Sequence, residues 1–191
     1  RKARSGRPEV QRPVPAVVLL MANLLDHRLV FVGNADGITA VGDYSQNFIE
    51  GVRPHFGDVV EFRTGGPGDY TLAGVRELRR AVRAAVEAEP SDRVLVHAEL
   101  SAGALGPFWA TFGLKDVVTT ATVHDPPQGV WWPARTTFMA KHRLAMHGLH
   151  YPLRPLSRWL EGISNADRTL FALTETGRRS IERTYPRTSP V

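Results

Sequence analysis

With 191 residues, 42% of them apolar, the chain has material for one proper core and not for two full lobes, since domains cluster near roughly 100 to 200 residues. It has no cysteine, which excludes disulfides and thiolate chemistry, permits a reducing compartment and leaves only histidine and carboxylate ligands for any metal. The formal charge of +5 sits at the ends, five cations against Glu9 in residues 1–12 and four against Glu182 in residues 178–191, so no clustered basic face for nucleic acid is expected.

Residues 1–15 are expected to be a disordered, solvated basic tail, and residues 16–191 a single domain. Val14 to Leu25 is an apolar run that lacks a small-residue cleavage site before Asp26. It is also shorter than the about 20 apolar residues a bilayer span needs, so it is expected to be a buried strand or short helix. Met21 stands just ahead of the first strong strand, which leaves open whether residues 1–20 belong to the native domain.

From Arg28 onward, strand-like apolar runs alternate with helical patterns, the mark of a parallel sheet covered by helices. Leu29 to Val32 is a predicted strand. Asp43 and Gln46 have capping-box spacing, and Tyr44, Phe48, Val52 and Phe56 recur every four residues as the apolar stripe of the next helix. Val59 to Phe62 is a second strand, broken at Thr64 to Gly68. Leu72, Val75, Leu78, Val82 and Val86 stripe a long helix with Pro90 beyond its end. Val94 to His97 is continuous enough for a strand buried on both faces, Val117 to Val123 is β-branched almost throughout, and Thr169 to Leu173 is the last strand. Thr174 is placed to cap a closing helix running through Ile181.

The polar or glycine-rich stretches Gly33 to Gly42, Thr64 to Gly68, His97 to Ser101, His124-Asp125 and Thr174-Glu175 all fall just after strands. In a doubly wound sheet ligands bind beyond the carboxyl ends of the strands, so these stretches form the expected rim of a site. The loop from Gly33 to Gly42 puts small residues before a helix start, where backbone N–H groups can approach a phosphate. It holds neither G-x-G-x-x-G nor a Walker lysine, which argues against ordinary dinucleotide or ATP binding.

Taken in order, Arg28 to Gly33 followed by Gly42 to Phe48 is similar to the opening strand, glycine loop and helix of the large retaining glycosyltransferase family that includes bacterial mannosyl- and glucosyltransferases. Val118 to Val123, followed by His124-Asp125-Pro126-Pro127, resembles that family's strand ending in a His-Asp loop. Leu170 to Glu175, followed by Arg178, Arg179, Tyr185 and Pro186, resembles its last N-terminal strand and helix. These segments span most of residues 28–186. The resemblance is to the N-terminal, acceptor-side domain of a GT-B enzyme, family 4-like. It implies an α/β fold with a Rossmann-like, doubly wound, mostly parallel sheet and helices on both faces.

The same resemblance implies a hexose moved from a nucleotide-diphosphate sugar, as co-substrate, to a sugar, lipid or small-molecule acceptor, with no other cofactor. A C-terminal donor-binding lobe, which this chain does not supply, would be needed in cis or in trans, and the chain alone would be inactive. His124 and Asp125 match the loop near the transferred sugar. Thr39 and Ala40 stand where the family has a glycine pair against the donor diphosphate, with Gly42 and Tyr44 just beyond. Glu99, Ser101, Trp131 and Trp132 are assigned to the acceptor cleft, the tryptophans for stacking on sugar or lipid. A cytoplasmic setting, with peripheral membrane contact, is the accompanying expectation.

Two other constellations compete. Glu99-Leu100-Ser101-Ala102-Gly103 places a serine after a strand as a nucleophile elbow does, but lacks the first glycine and any H-G-G-G sequence. Ser101 is the better candidate for capping the following helix or for contacting acceptor. His142, His147 and His150 invite a metal reading, yet no carboxylate stands at ligand spacing. A protein that keeps the lobe as a binding or scaffold module, without chemistry, is the alternative from a different class.

Overall fold

The computed structural model describes residues 24–35, 40–65, 71–101, 105–124, 143–185 and 190–191. Five strands, β1 (Leu24–Asn34), β2 (Phe56–Thr64), β3 (Val94–Leu100), β4 (Val118–Val123) and β5 (Thr169–Phe171), form one sheet in the order β2-β1-β3-β4-β5. Every pairing is parallel. The helices are α1 (Ala40–Val52), α2 (Leu72–Glu87), α3 (Leu105–Thr111), α4 (Arg143–Ala166) and α5 (Glu175–Thr184).

Period-two alternation on the strands feeds two helical layers. On one face Leu29, Phe31 and Leu95 pack under Phe48, Ile49 and Val52 of α1. On the other, Val30, Val32, Val94 and Val96 meet Leu78, Val82 and Val86 of α2 and Ala110 of α3. That second layer continues as Ala98, Leu100, Ala121, Val123 and Leu170 under Phe108 of α3, Ile181 of α5 and Tyr185 just past it. The fold is therefore a Rossmann-like, doubly wound α/β sheet with helices on both faces, as the sequence pattern and the family resemblance lead one to expect.

The expected strands and the two long stripes are where the sequence puts them, with shifts that have local causes. β1 begins five residues before Leu29, at Leu24, across an irregularity in its pairing with β2 between Leu24 and Arg28. There the chains approach so closely that a Cβ on Gly57 would lie 2.0 Å from the Leu25 carbonyl oxygen, which only glycine accommodates. Residues 14–23 lie outside the described residues. The α1 stripe stops at Val52: Pro54 lies in a short 3-10 turn, Arg53–His55, and Phe56 opens β2 instead of extending the helix.

The capping box is a second correction. α1 starts at Ala40, so Asp43 lies inside the first turn, and Gln46 donates to Glu50 at 2.7 Å rather than reaching back to a helix start. Gly42 is buried in that first turn. The caps of α2 and α5 are made as side-chain chemistry dictates: Thr71 accepts from the Gly74 N–H and Thr174 from the Gly177 N–H, each at 3.0 Å. Val191 closes the outer edge of β5, donating to the Leu170 carbonyl at 2.8 Å and accepting from the Ala172 N–H at 3.1 Å.

Candidate functional site

The order β2-β1-β3 makes β1 and β3 the point where the sheet changes direction. α1 leaves β1 over one face and α3 leaves β3 over the other, so a crevice opens between their carboxyl ends. Around it stand Asn34 and Ala35 at the end of β1, Ser101 after β3, His124 after β4, and the first turn of α1.

The chemistry lies on the α1 face of β3 and β4. His97 and Glu99 are two apart on β3, and Thr120 and Thr122 are their register partners on β4, so all four side chains share one face. Glu99 is fully buried and both its oxygens are taken: His97 Nε2 lies 3.0 Å from Oε1 and His124 Nε2 lies 2.7 Å from Oε2. His97 Nδ1 lies 2.8 Å from the Thr120 hydroxyl, and the Thr122 hydroxyl is 3.2 Å from His97 Nε2. Tyr44 of α1 stands over this group, its ring 5.2 Å from that of His124 in a T-shaped contact. A continuous polar path thus runs from Thr122 through His97 and Glu99 to His124.

Electrostatics follow from burial against bonding. Burial alone would push the Glu99 carboxyl up, but the bonds from His124 and His97, with the charge those rings can carry, outweigh it and hold the group below its ordinary value. Tyr44 moves the other way: burial raises it, the Glu99 charge raises it further, and the bond with Thr122 offsets only part. A carboxylate accepting from Nε2–H fixes the tautomer of His124 and makes its other ring nitrogen the acceptor. With its side chain 9% exposed, His124 lies nearer solvent than His97 and Glu99, at 2% and 0%.

The expected phosphate loop is less well furnished. Ala40 opens α1 and Gly42 is buried in its first turn, but Asp43 in that same turn puts a carboxylate where an anion would bind. Arg63, at the end of β2, is engaged by Glu61, Gln46 and the Asn34 carbonyl. Ser101 is buried and, among the described residues, its hydroxyl has no partner. Among those residues it meets neither a helix N–H nor a base, so they offer the hydrolase alternative no activated nucleophile.

Thr39, Asp125, Trp131 and Trp132 lie outside the described residues, as do His142 and the side chains of His147 and His150. Among the described residues, no group of three histidines or carboxylates stands together as a metal site.

What sequence reasoning missed is His97 as a member of the site and Glu99 as its hub. The signal was present as a His-x-Glu pair on a buried strand, because a spacing of two puts both side chains on one face of the sheet. A cavity of about 370 Å³ runs along that face beside α1, lined by Tyr44, Phe48, Leu95, His97, Thr122 and Phe171 among others. No family model, curated protein or solved structure matches this chain.

Proposed function

We propose that this chain is the acceptor-side lobe of a retaining glycosyltransferase, with the crevice beyond β1, β3 and β4 as the sugar site and His124 as its principal contact. The observation that carries it is the 2.7 Å bond from His124 Nε2 to the buried Glu99 carboxylate at the carboxyl end of β4. That bond pre-sets one ring nitrogen to receive or share a hydroxyl proton, the contact an acceptor or transferred hexose offers.

The order of motifs supports the same assignment, with Asp125 beside His124 and Thr39, Ala40, Gly42 and Tyr44 along the opening loop. In the transfer, the bond from the hexose anomeric carbon to the nucleotide diphosphate breaks and a bond to the acceptor oxygen forms on the same face. The acceptor proton leaves with the phosphate. A donor lobe, in cis or in trans, holds the nucleotide sugar, and this lobe orients the acceptor.

The second reading, a binding module without chemistry, is favoured by Asp43 in the first turn of α1, which disfavours a diphosphate there. One titration separates them. Histidine ring resonances of the chain are followed while monosaccharides and, separately, uridine and guanosine diphosphate sugars are added. A sugar-dependent shift of His124 is expected, with affinity about ten-fold weaker in His124→Ala, the loss of one hydrogen bond to a polarised group. No shift with any sugar would remove the transferase assignment. A shift with free sugar, combined with no transfer when donor lobes of GT-B enzymes are supplied, would leave the binding module.

A further inference from the structure

The cavity beside α1 has a polar end and an apolar end. Because β1 and β2 are parallel, α1 runs back between them, which sets Tyr44 level with the carboxyl ends of the strands and Val52 level with their amino ends. Both residues line the cavity, about 12 Å apart at 1.5 Å per residue. At the upper level stands Thr122, the register partner of Glu99. One step lower are His97 and Thr120, with the Phe48 ring 4.5 Å from that of His97. Below them the lining is Leu29, Leu95, Val52 and Phe56, all apolar.

The space follows from how the helices share the sheet. α1 packs on Leu29, Phe31 and Leu95, whereas α3 and α5 pack on the opposite face of β3, β4 and β5. Phe171 of β5 and the two threonines of β4 therefore border the cavity across from α1. Gly51, in the last turn of α1, lines it too, and a Cβ there would meet nothing within 4 Å. Neither packing nor backbone angle demands glycine at that position, and any larger side chain would take up cavity volume.

Chemistry selects the occupant. A volume of about 370 Å³ lies in the range of roughly 300–1,000 Å³ that small-molecule sites span. Water in the lower half would find few polar partners, so that half suits hydrocarbon. The lining has no aspartate, glutamate, lysine or arginine, and its second histidine, His55, is exposed. At the upper end the Glu99 carboxylate repels an anionic head, and histidines occupy both its oxygens, which leaves none for an ammonium. A hydroxyl both donates and accepts, and it is the head that suits Tyr44 with His124 just beyond.

We propose that this cavity binds the hydrocarbon chain of an uncharged alcohol, whose hydroxyl is directed past Tyr44 toward His124. That the alcohol is the acceptor rests on the transferase reading, which it narrows to a lipid-like acceptor.

The test is calorimetric titration of the full chain with 1-octanol, octanoate and octylamine at neutral pH. Octanol is expected to bind with a negative heat-capacity change, and the two charged analogues at least about ten-fold more weakly. Gly51→Leu should weaken octanol at least about ten-fold while its melting temperature equals or exceeds that of the wild type, since leucine favours a helix over glycine. Gly51→Met fills the same space with a flexible side chain and should act alike. Octanol that does not bind, or that binds the filled variants equally well, would overturn the proposal. Octanoate bound as tightly as octanol would place a charged head at His55 and overturn it too. Octanol bound by the wild type and lost in the filled variants, with His124 unmoved by any sugar, would remove the transferase assignment and uphold the cavity as an alcohol site.

Discussion

Glu99 has a histidine on each oxygen, as a buried carboxylate must, since it survives only where its oxygens are bonded. Glu99→Gln keeps the shape but offers one acceptor oxygen to two histidine donors, so a loss of about 1–3 kcal/mol in urea denaturation is expected. Since the folded carboxyl is held below its ordinary value of 4.5, its contribution is present above that pH and disappears as pH falls through the lowered folded value. The gap between wild type and variant should therefore close on acidification below about 4.5, and a gap independent of pH would contradict the assignment. Arg168 is the opposite case. It is almost wholly buried, donates to Thr111 at 3.0 Å, leaves Nη1 without a partner among the described residues, and is depressed to about 10 by burial. Thr111 keeps its bond to the Pro107 carbonyl without it, so Arg168→Met should raise stability by about 1–3 kcal/mol at neutral pH. The unfolded chain holds that proton to higher pH than the folded one, so wild-type stability should recover above about pH 10 and the advantage of the variant shrink there.

At the scale of elements, α2 and α5 offer a matched pair. Each is capped by a threonine that accepts from the N–H three residues on, so Thr71→Ala and Thr174→Ala should each cost about 1 kcal/mol, measured by thermal unfolding. These helices and all five strands were legible because their periodicity is uninterrupted. β1 to β5 each contain a run of apolar or β-branched residues, and α2 repeats its apolar face across four turns. α4 was not legible, and α3 was expected only as the helix following Ser101, without bounds. α3 is short and carries Gly106 and Pro107, which blur its helical pattern; Gly106 is there because a Cβ would approach Leu78 and Thr64 at 3.3 Å. α4 contains Pro152 and Pro155, ordinary helix breakers, and its apolar side faces outward, so the pattern that marks a core helix has no core to mark. The start of α1 was misplaced because Ala40, Val41 and Gly42 carry no capping signal, while Asp43 does.

Across the whole molecule, fold and site meet where β1 passes beneath α1. A Cβ on Gly33 would fall 2.6 Å from the Phe31 ring and 3.2 Å from the Ser45 hydroxyl, both buried. Gly33→Ala should therefore cost about 1–3 kcal/mol in denaturant titration and loosen the packing under Phe48 and His97, even though residue 33 touches neither histidine of the network. The rim of the crevice was legible from strand order alone, and His124 from its loop. The network beneath was not, because Thr120 and Thr122 contribute to a β-branched strand pattern and His97 closes an apolar run, so their shared face shows only once β3 and β4 are in register. That register also sets His97 in a stack of aromatic rings, 4.5 Å from Phe48 and 5.8 Å from Phe31, nearly parallel to both. Protons held over aromatic faces are magnetically shielded, so His97 should resonate far upfield of ordinary histidine and identify itself without mutagenesis. His124 lies outside that parallel stack. The protein thus carries its own internal reference: a ligand in the crevice shifts one histidine signal, and a disturbance of the core shifts the other.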